Sequence, residues 1–317
     1  MRHAGLIRFL AVGAALSAGP AAAQSYPVKP IRWVTGGGPD SMARILGQKF
    51  TDAWGQQVVV EERGGGGGML SAEVVARAAP DGYTLLLATG THTISPHFFK
   101  LPYDMVRDFA PVTLLATMPF VLTVHPSLPV KTVSDLVKLA RARPGELNYS
   151  SGGNGSPGHL ICEMFRSMTG VVLVHVPYRT VAQGVTGLIA GQAQLMFTVG
   201  PSAVPQIRAG RIRGVAVTTL RRSASLPELP TVAEAGLPGF EAPAWNGVLM
   251  PAGTPPAIIT RIHTEVTRNL RQPEVLEKVA ALGFEPVGGT PAEFGEFIKA
   301  ELAKWGKVVR ESGAKAE

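Results

Sequence analysis

Cysteine is nearly absent from this 317-residue chain, where Cys162 stands alone. One thiol cannot build a disulfide framework or a zinc site made from several thiolates. Aromatic residues reach only 7%, which leaves little material for stacking nucleic-acid bases. Charged residues are also sparse at 17%, against 45% apolar residues, and that balance excludes an intrinsically disordered chain. The net charge is +7, but the positive charge is scattered: no run of five basic residues occurs, and Arg221-Arg222 is the tightest pair. Nucleic-acid recognition needs clustered charge, so no nucleic-acid partner is expected. The G-x-S-x-G, H-E-x-x-H, G-x-x-x-x-G-K-[ST] and C-x-x-C patterns are missing too.

What is present starts at the N-terminus. Arg2 and Arg8 precede an apolar run from Phe9 to Ala18, followed by Ala21-Ala22-Ala23. This order predicts a signal peptide over residues 1–23, cleaved near Ala23, with export into an oxidising space. The run is too short for a membrane anchor, which needs about 20 apolar residues. Cleavage removes two arginines and leaves a net charge of +5. Cys162, beside Ile161 and Phe165, reads as a packed small hydrophobe.

The remaining length suits two domains. Strand-like runs fall at Ile31–Thr35, Val58–Glu61, Thr84–Ala88, Val112–Leu115, Val121–His125, Leu147–Ser150, Val172–Val176, Leu195–Phe197, Gly214–Thr218 and Gly247–Met250. Helical patterns separate them, near Ser41–Ala53, Ser71–Arg77, Val133–Ala142, Pro157–Met168, Val181–Ala190 and Ala203–Arg208. This alternation predicts an α/β fold with a mostly parallel sheet. The last seventy residues are helical. Thr254 is expected to cap a helix over Pro255–Arg271, with Pro255 at its first position. A shorter helix follows at Glu274–Leu282, and Thr290-Pro291-Ala292-Glu293 reads as a capping box opening the final one. Closing helices need a sheet made earlier, which suggests a discontinuous first domain with crossings near Val121–His125 and Gly247–Met250.

Three glycine-rich segments follow strands and precede helices: Gly36 to Asp40, Gly64 to Gly68, and Gly152 to Pro157. Such loops place free amides at helix starts, where anions are favoured. In the third loop Asn154 and Ser156 add side-chain donors, and Ser156 is a good helix cap. The loop also matches G-x-G-x-x-G from Gly153 to Gly158. The dinucleotide reading wants an acid about 20 residues on, and Leu173 to Tyr178 offers none, so the match is accidental. The histidines are dispersed, with no pair at helical i, i+4 spacing. A binder is favoured over an enzyme, and no catalytic residue, cofactor or metal is expected.

Several stretches carry a more specific likeness. They include Tyr26-Pro27-Val28-Lys29-Pro30-Ile31-Arg32, Val74 to Leu85 with Ala79-Pro80-Asp81-Gly82-Tyr83, and Asp108-Phe109-Ala110-Pro111-Val112. Pro144 to Tyr149, Val174 to Tyr178, Leu229 to Glu234 and Pro251 to Pro255 continue the series. In order and spacing the chain resembles the solute receptors of the tripartite tricarboxylate transporter family, also called the Bug family of periplasmic receptors. The resemblance implies a type II periplasmic-binding-protein fold of two α/β lobes joined by two crossing strands. Lobe 1 would hold residues 24–121 and 247–317, and lobe 2 residues 122–246. It implies a monomer that holds a small carboxylate between the lobes by amides, hydroxyls and waters, then delivers it to integral membrane transporter components. The positions matching the family's site are Gly36, Gly37, Asp40, Gly90, Thr91 and His92 on one lobe. On the other they are Ser151, Asn154, Gly155, Ser156, Tyr178, Arg179 and Thr180. Thr198 stands where the family commonly carries an aspartate. Asp40 is expected to serve as a helix cap. The first glycine loop is shorter than usual for the family, and Arg179-Thr180 replaces a more usual lysine–glycine pair. A receptor that senses for a signalling partner, an exported enzyme using His92, and a non-binding paralogue are the alternatives.

Overall fold

The computed structural model describes residues 26–36, 40–64 and 68–315; the expected signal peptide and Gly37 lie outside them. Strands β1 (Ile31–Thr35), β2 (Val58–Glu62), β3 (Thr84–Thr89) and β4 (Phe109–Met118) come first. Then follow β5 (Phe120–Val124), β6 (Asn148–Ser151), β7 (Val174–Pro177), β8 (Leu195–Val199) and β9 (Arg213–Val217), before β10 (Ala244–Pro251) and β11 (Glu285–Gly288). They form a six-stranded sheet in the order β11-β4-β10-β3-β1-β2 and a five-stranded sheet in the order β7-β6-β8-β5-β9.

Each sheet has four strands running one way and a crossing strand running against them; in the six-stranded sheet the edge strand β11 runs against the four as well. β10 is antiparallel to β3 and β4, and β5 is antiparallel to β8 and β9. The arrangement β2-β1-β3-β10-β4 therefore recurs as β7-β6-β8-β5-β9. The expected parallel character holds for four strands of each sheet. The sheets are mixed because the strand by which the chain arrives from the other lobe enters in the opposite direction. The crossings sit at Pro119, between β4 and β5, and at Pro243, before β10. They lie beside, not within, the stretches Val121–His125 and Gly247–Met250, which are strand interiors. Proline has no N–H to give to a ladder, so pairing stops there.

The helices are α1 (Ser41–Trp54), α2 (Met69–Ala76), α3 (Gly90–Ile94), α4 (Val133–Ala142) and α5 (Pro157–Thr169). After them come α6 (Val181–Ile189), α7 (Gly200–Arg208), α8 (Pro256–Asn269), α9 (Pro273–Ala281) and α10 (Pro291–Ser312). Local chemistry sets most boundaries. The box of Thr290 and Glu293 opens α10 as expected, and Thr132 with Asp135 does the same for α4. Two expected caps differ. Thr254 donates its hydroxyl to the Pro251 carbonyl at 2.7 Å, and Pro255 occupies the cap position instead. A residue preceding proline is pushed out of the helical region, so Pro256 forces Pro255 to stay extended and the helix starts one residue later. Asp40 makes no side-chain cap bond to α1; its carboxylate pairs with Arg44 at 2.6 Å, one turn along.

The first sheet packs Trp33, Phe50, Leu85 and Ile262 on one face. On its other face Trp245, Leu249, Phe294 and Ile298 come together. The second sheet's core centres on Tyr149, Phe165, Phe197 and Phe240. α10 takes part in both lobes: Phe294 and Ile298 belong to the first sheet's cluster, while Trp305 and Val308 belong to the second's. The helix lies so close to β10 that a Cβ on Gly247 would overlap the Phe294 ring. Gly247→Ala should therefore cost about 1–3 kcal/mol of stability, measured by denaturant unfolding. A neutral result would mean that α10 is free to shift away from the sheet.

Candidate ligand-binding site

A cavity of about 310 Å³ lies between the lobes, at the crossings. The first lobe contributes the ends of β1 and β3, where Thr35, Gly36, Thr89, Gly90 and Thr91 face it. The second contributes the starts of α5 and α7 through Pro157, Ile161, Pro201 and Ser202. Met118 and Phe120 flank the first crossing, and Trp245 and Asn246 follow the second. Phe284, Glu301 and Trp305 complete the wall.

Register explains why polar groups gather at one edge. β1 and β3 are neighbours, as are β3 and β10, with Thr35 opposite Leu87 and Asn246 opposite Thr89. Thr35 and Asn246 are 2% and 5% exposed, yet Thr35 Oγ1 and Asn246 Oδ1 have no hydrogen-bond partner. Buried polar atoms are nearly always paired, so two orphans facing one cavity mark a place where a ligand's polar group belongs. Gly36 has a steric reason to be glycine: a Cβ there would come within 2.7 Å of the Gly68 backbone.

Glu301 is the cavity's buried acid. Its Oε2 accepts from the indole N–H groups of Trp245, at 3.2 Å, and Trp305, at 3.0 Å. Its other oxygen pairs with Lys304. One carboxylate on α10 thus fixes two aromatic walls, one on the crossing strand and one on its own helix.

The site positions inferred from sequence divide into groups. Gly36, Gly90 and Thr91 line the cavity. Gly37 lies outside the described residues, and Asp40 serves the Arg44 pair. His92 is sealed at 1% exposure behind the cavity wall. Its Nδ1 accepts from the Thr89 N–H at 3.0 Å, and Nε2 lies 3.4 Å from the Ser71 hydroxyl. Burial holds its pKa down to about 4 from 6.5. His92 thus ties the turn after β3 to the glycine loop at Gly68.

Ser151, Asn154, Gly155 and Ser156 form the turn from β6 into α5, just outside the cavity lining. Two stacked imidazoles hold this turn from behind. His159 and His175 lie 4.0 Å apart and nearly parallel. Ser151 Oγ is 2.7 Å from His175 Nε2 and accepts from the Gly153 N–H, while the Gly155 N–H donates to His159 Nδ1 at 3.0 Å. Burial pushes both histidines down, His175 to about 4. Ser156 caps α5 through the His159 N–H. The Phe98 ring of the other lobe approaches Gly155 so closely that a Cβ there would touch it at 3.4 Å.

Tyr178 donates to Gln192 at 2.9 Å and packs over Gly187, and Arg179 is exposed. Thr180 caps α6. Thr198 is fully buried inside the second sheet, its hydroxyl 2.9 Å from that of Thr123 across the β5–β8 pair, so it faces no cleft.

Thr35, Trp245, Asn246, Ser202, Glu301 and Trp305 escaped the sequence reading. One signal was there for Glu301: an acid on the apolar stripe of α10, three residues after Ile298 and four before Trp305. The others depend on which strands become neighbours.

Known proteins of the same build share this frame. R. palustris Rpa4515, solved with adipate, is 36% identical with a TM-score of 0.79, over 92% of this chain and 100% of that one. MatC from Rhodopseudomonas palustris, solved with bound malate, is 32% identical with a TM-score of 0.74, over 90% of this chain and 100% of that one. The protein BugT of Bordetella pertussis is 35% identical over 305 residues, covering 94% of each chain. Residues 42–314 match the family described as the tripartite tricarboxylate transporter family receptor. With that match spanning both lobes, and the doubled sheet around a cavity at the crossings, the chain belongs to this receptor family.

Proposed function

We propose that this chain, exported and processed near Ala23, captures a small organic carboxylate between its lobes and presents it to integral membrane components of a tripartite tricarboxylate-type transporter. The observation that carries this reading is the pair of orphaned polar groups, Thr35 Oγ1 and Asn246 Oδ1, in a cavity between two sheets. The Thr35 and Thr91 hydroxyls supply donors, and the Asn246 amide offers a donor or an acceptor depending on its rotation. Gly36 and Gly90 allow close approach of backbone to ligand. The two lobes then close over the bound acid, and the closed form is what a membrane partner would recognise. No helix among the described residues is long and apolar enough to cross a membrane.

An exported enzyme loses support from the position of His92, whose ring nitrogens serve the turn and the glycine loop. Supporting a binder, the family relatives include proteins solved with adipate and malate.

The test is thermal-shift screening of the mature protein against organic acids, followed by calorimetry on Thr35→Val. A ligand at 100 times its Kd should add about 2.7 kcal/mol to stability. The valine variant, keeping shape but not the hydroxyl, should bind about tenfold more weakly, while its unfolding midpoint in the absence of ligand should be no lower, because the hydroxyl it removes has no partner. Unaltered affinity would remove Thr35 from the grip. Stabilisation by no organic acid would end the carboxylate reading.

A further inference from the structure

We propose that His159 and His175 are positioning residues for ligand capture. As one stacked unit they hold the turn Ser151–Ser156 in the shape that presents its unpaired amides to a ligand between the lobes. This rests on the carboxylate-receptor reading and adds to it the part of the second lobe that orders the grip.

The turn needs holding. Gly153 and Gly155 both sit at positive φ, +118° and +71°. Glycine reaches such angles without strain and leaves them as easily, so a turn built this way has many shapes unless its neighbours fix it. The N–H groups of Gly152 and Asn154 make no hydrogen bond among the described residues. Pro157, next after Ser156, lines the cavity. The unpaired donors thus stand at the cavity's edge, and their direction is set by the groups beside them that are paired.

Those pairs lead to the imidazoles. The Gly155 N–H donates to His159 Nδ1, which places the ring proton on Nε2, 3.8 Å from Glu163 Oε1. Ser151 Oγ donates to the Gly153 carbonyl and accepts from the Gly153 N–H, both at 3.1 Å. Its second lone pair takes the Nε2–H of His175 at 2.7 Å. The two rings lie 9° from parallel, and the fully buried Tyr149 ring stacks on His175 at 4.6 Å. Tyr149 donates to Glu163 at 2.5 Å, and Arg166 holds the same carboxylate at 2.7 Å. The turn is therefore pinned at Ser151 and at Gly155 to a stack rooted in the second lobe's core. The Phe98 ring of the first lobe also reaches Gly155, but a hydrocarbon contact has no preferred hydrogen-bond direction. A turn ordered before the ligand arrives spares binding the cost of ordering it.

The experiment compares two variants of the mature protein that separate the bond from the packing. His159→Phe keeps a stacked ring and loses the acceptor. His159→Asn loses the ring and keeps an acceptor oxygen near the place of Nδ1. Hydrogen exchange of the Gly155 amide, read by NMR without ligand, should quicken about tenfold or more in the phenylalanine variant and stay within about threefold in the asparagine one. Calorimetric titration with adipate, malate and benzoate should rank affinity the same way, although the asparagine variant has the lower unfolding midpoint. His175→Phe against His175→Gln, read at the Gly153 amide, makes the same comparison at the other pin and serves where a His159 variant does not fold. A packing role gives the reverse order, with phenylalanine the milder change, and overturns the proposal. Faster exchange with unchanged affinity also overturns it, and leaves the carboxylate receptor standing. A parent protein that binds none of these acids, nor any other organic acid, overturns the receptor reading and the capture role with it.

Discussion

Glu301→Ala lowers the free energy of unfolding by about 3–5 kcal/mol. The carboxylate is only 4% exposed and serves three groups: the Trp245 and Trp305 indoles and the Lys304 ammonium. Alanine leaves both indole N–H groups without an acceptor, and both tryptophans are 2% exposed, so water cannot readily replace it. Each unsatisfied buried donor costs about 1–3 kcal/mol. The lysine contributes less, because its side chain is 24% exposed and also donates to the Glu241 carbonyl at 3.1 Å. Glu301→Gln keeps the shape and one acceptor oxygen, so it should lose less than about half as much. Denaturant titration of the three proteins reads the order directly. A loss below about 1 kcal/mol for alanine would mean the indoles find other partners. Affinity for the ligand should fall in the alanine variant as well, because the two indoles it releases are walls of the cavity.

The second large effect appears in acid. His92 has its pKa held at about 4 against an ordinary 6.5, chiefly by burial, while hydrogen bonds with the backbone of Thr89 and Gly68 act in the opposite direction. The unfolded chain takes up a proton near pH 6.5, and the folded one resists it until about pH 4. Between these values the unfolded state binds more protons, so stability falls as the pH falls. The contribution is fully present above pH 6.5 and is gone below about pH 4. It amounts to roughly 3 kcal/mol over that window. His175 shifts the same way, but it is only half buried and adds less. In His92→Gln, glutamine at the third helical position can still accept from the Thr89 N–H, as in a capping box, and does not titrate. Unfolding curves at pH 7, 5.5 and 4 should therefore be flatter for the variant by about the His92 contribution. Parallel curves would show that His92 is protonated in the fold without penalty.

Much of the architecture was legible because it is written locally. The capping boxes at Thr132 and Thr290 depend on residues three apart, and the helices they open begin where that spacing places them. The strands of each sheet follow from short apolar runs, except β11: Glu285–Gly288 has no such run and lies where only helices are expected, and it becomes a strand by pairing with the edge of β4. The crossings fall at Pro119 and Pro243, a few residues before Val121–His125 and Gly247–Met250, because the apolar runs continue on both sides of the prolines at which the chain changes sheets. The site was legible only in part. Gly36, Gly90 and Thr91 announce themselves as loop residues after strands, and they line the cavity. Thr35 and Asn246 look like ordinary strand residues until the chain returns, 157 positions after Thr89, to lay β10 beside β3. Thr198 illustrates the converse: its partner is Thr123, 75 residues away, and that pairing turns it into the sheet rather than toward the cleft. His92 sits in a turn that reads as exposed, and only the approach of Gly68 and Ser71 buries it.

α10 also changes how the lobes can move. Two short strand crossings alone would leave the lobes free to both bend and twist about the prolines. A helix of 22 residues rooted by Phe294 and Ile298 in one core and by Trp305 and Val308 in the other is a rigid strut across that joint. Only a sharp kink would break its backbone hydrogen bonds, so an opening of the lobes would draw on repacking of side chains at one of its two footings. A joint braced in this way has its gap set by where those two footings seat, and not by the crossings alone.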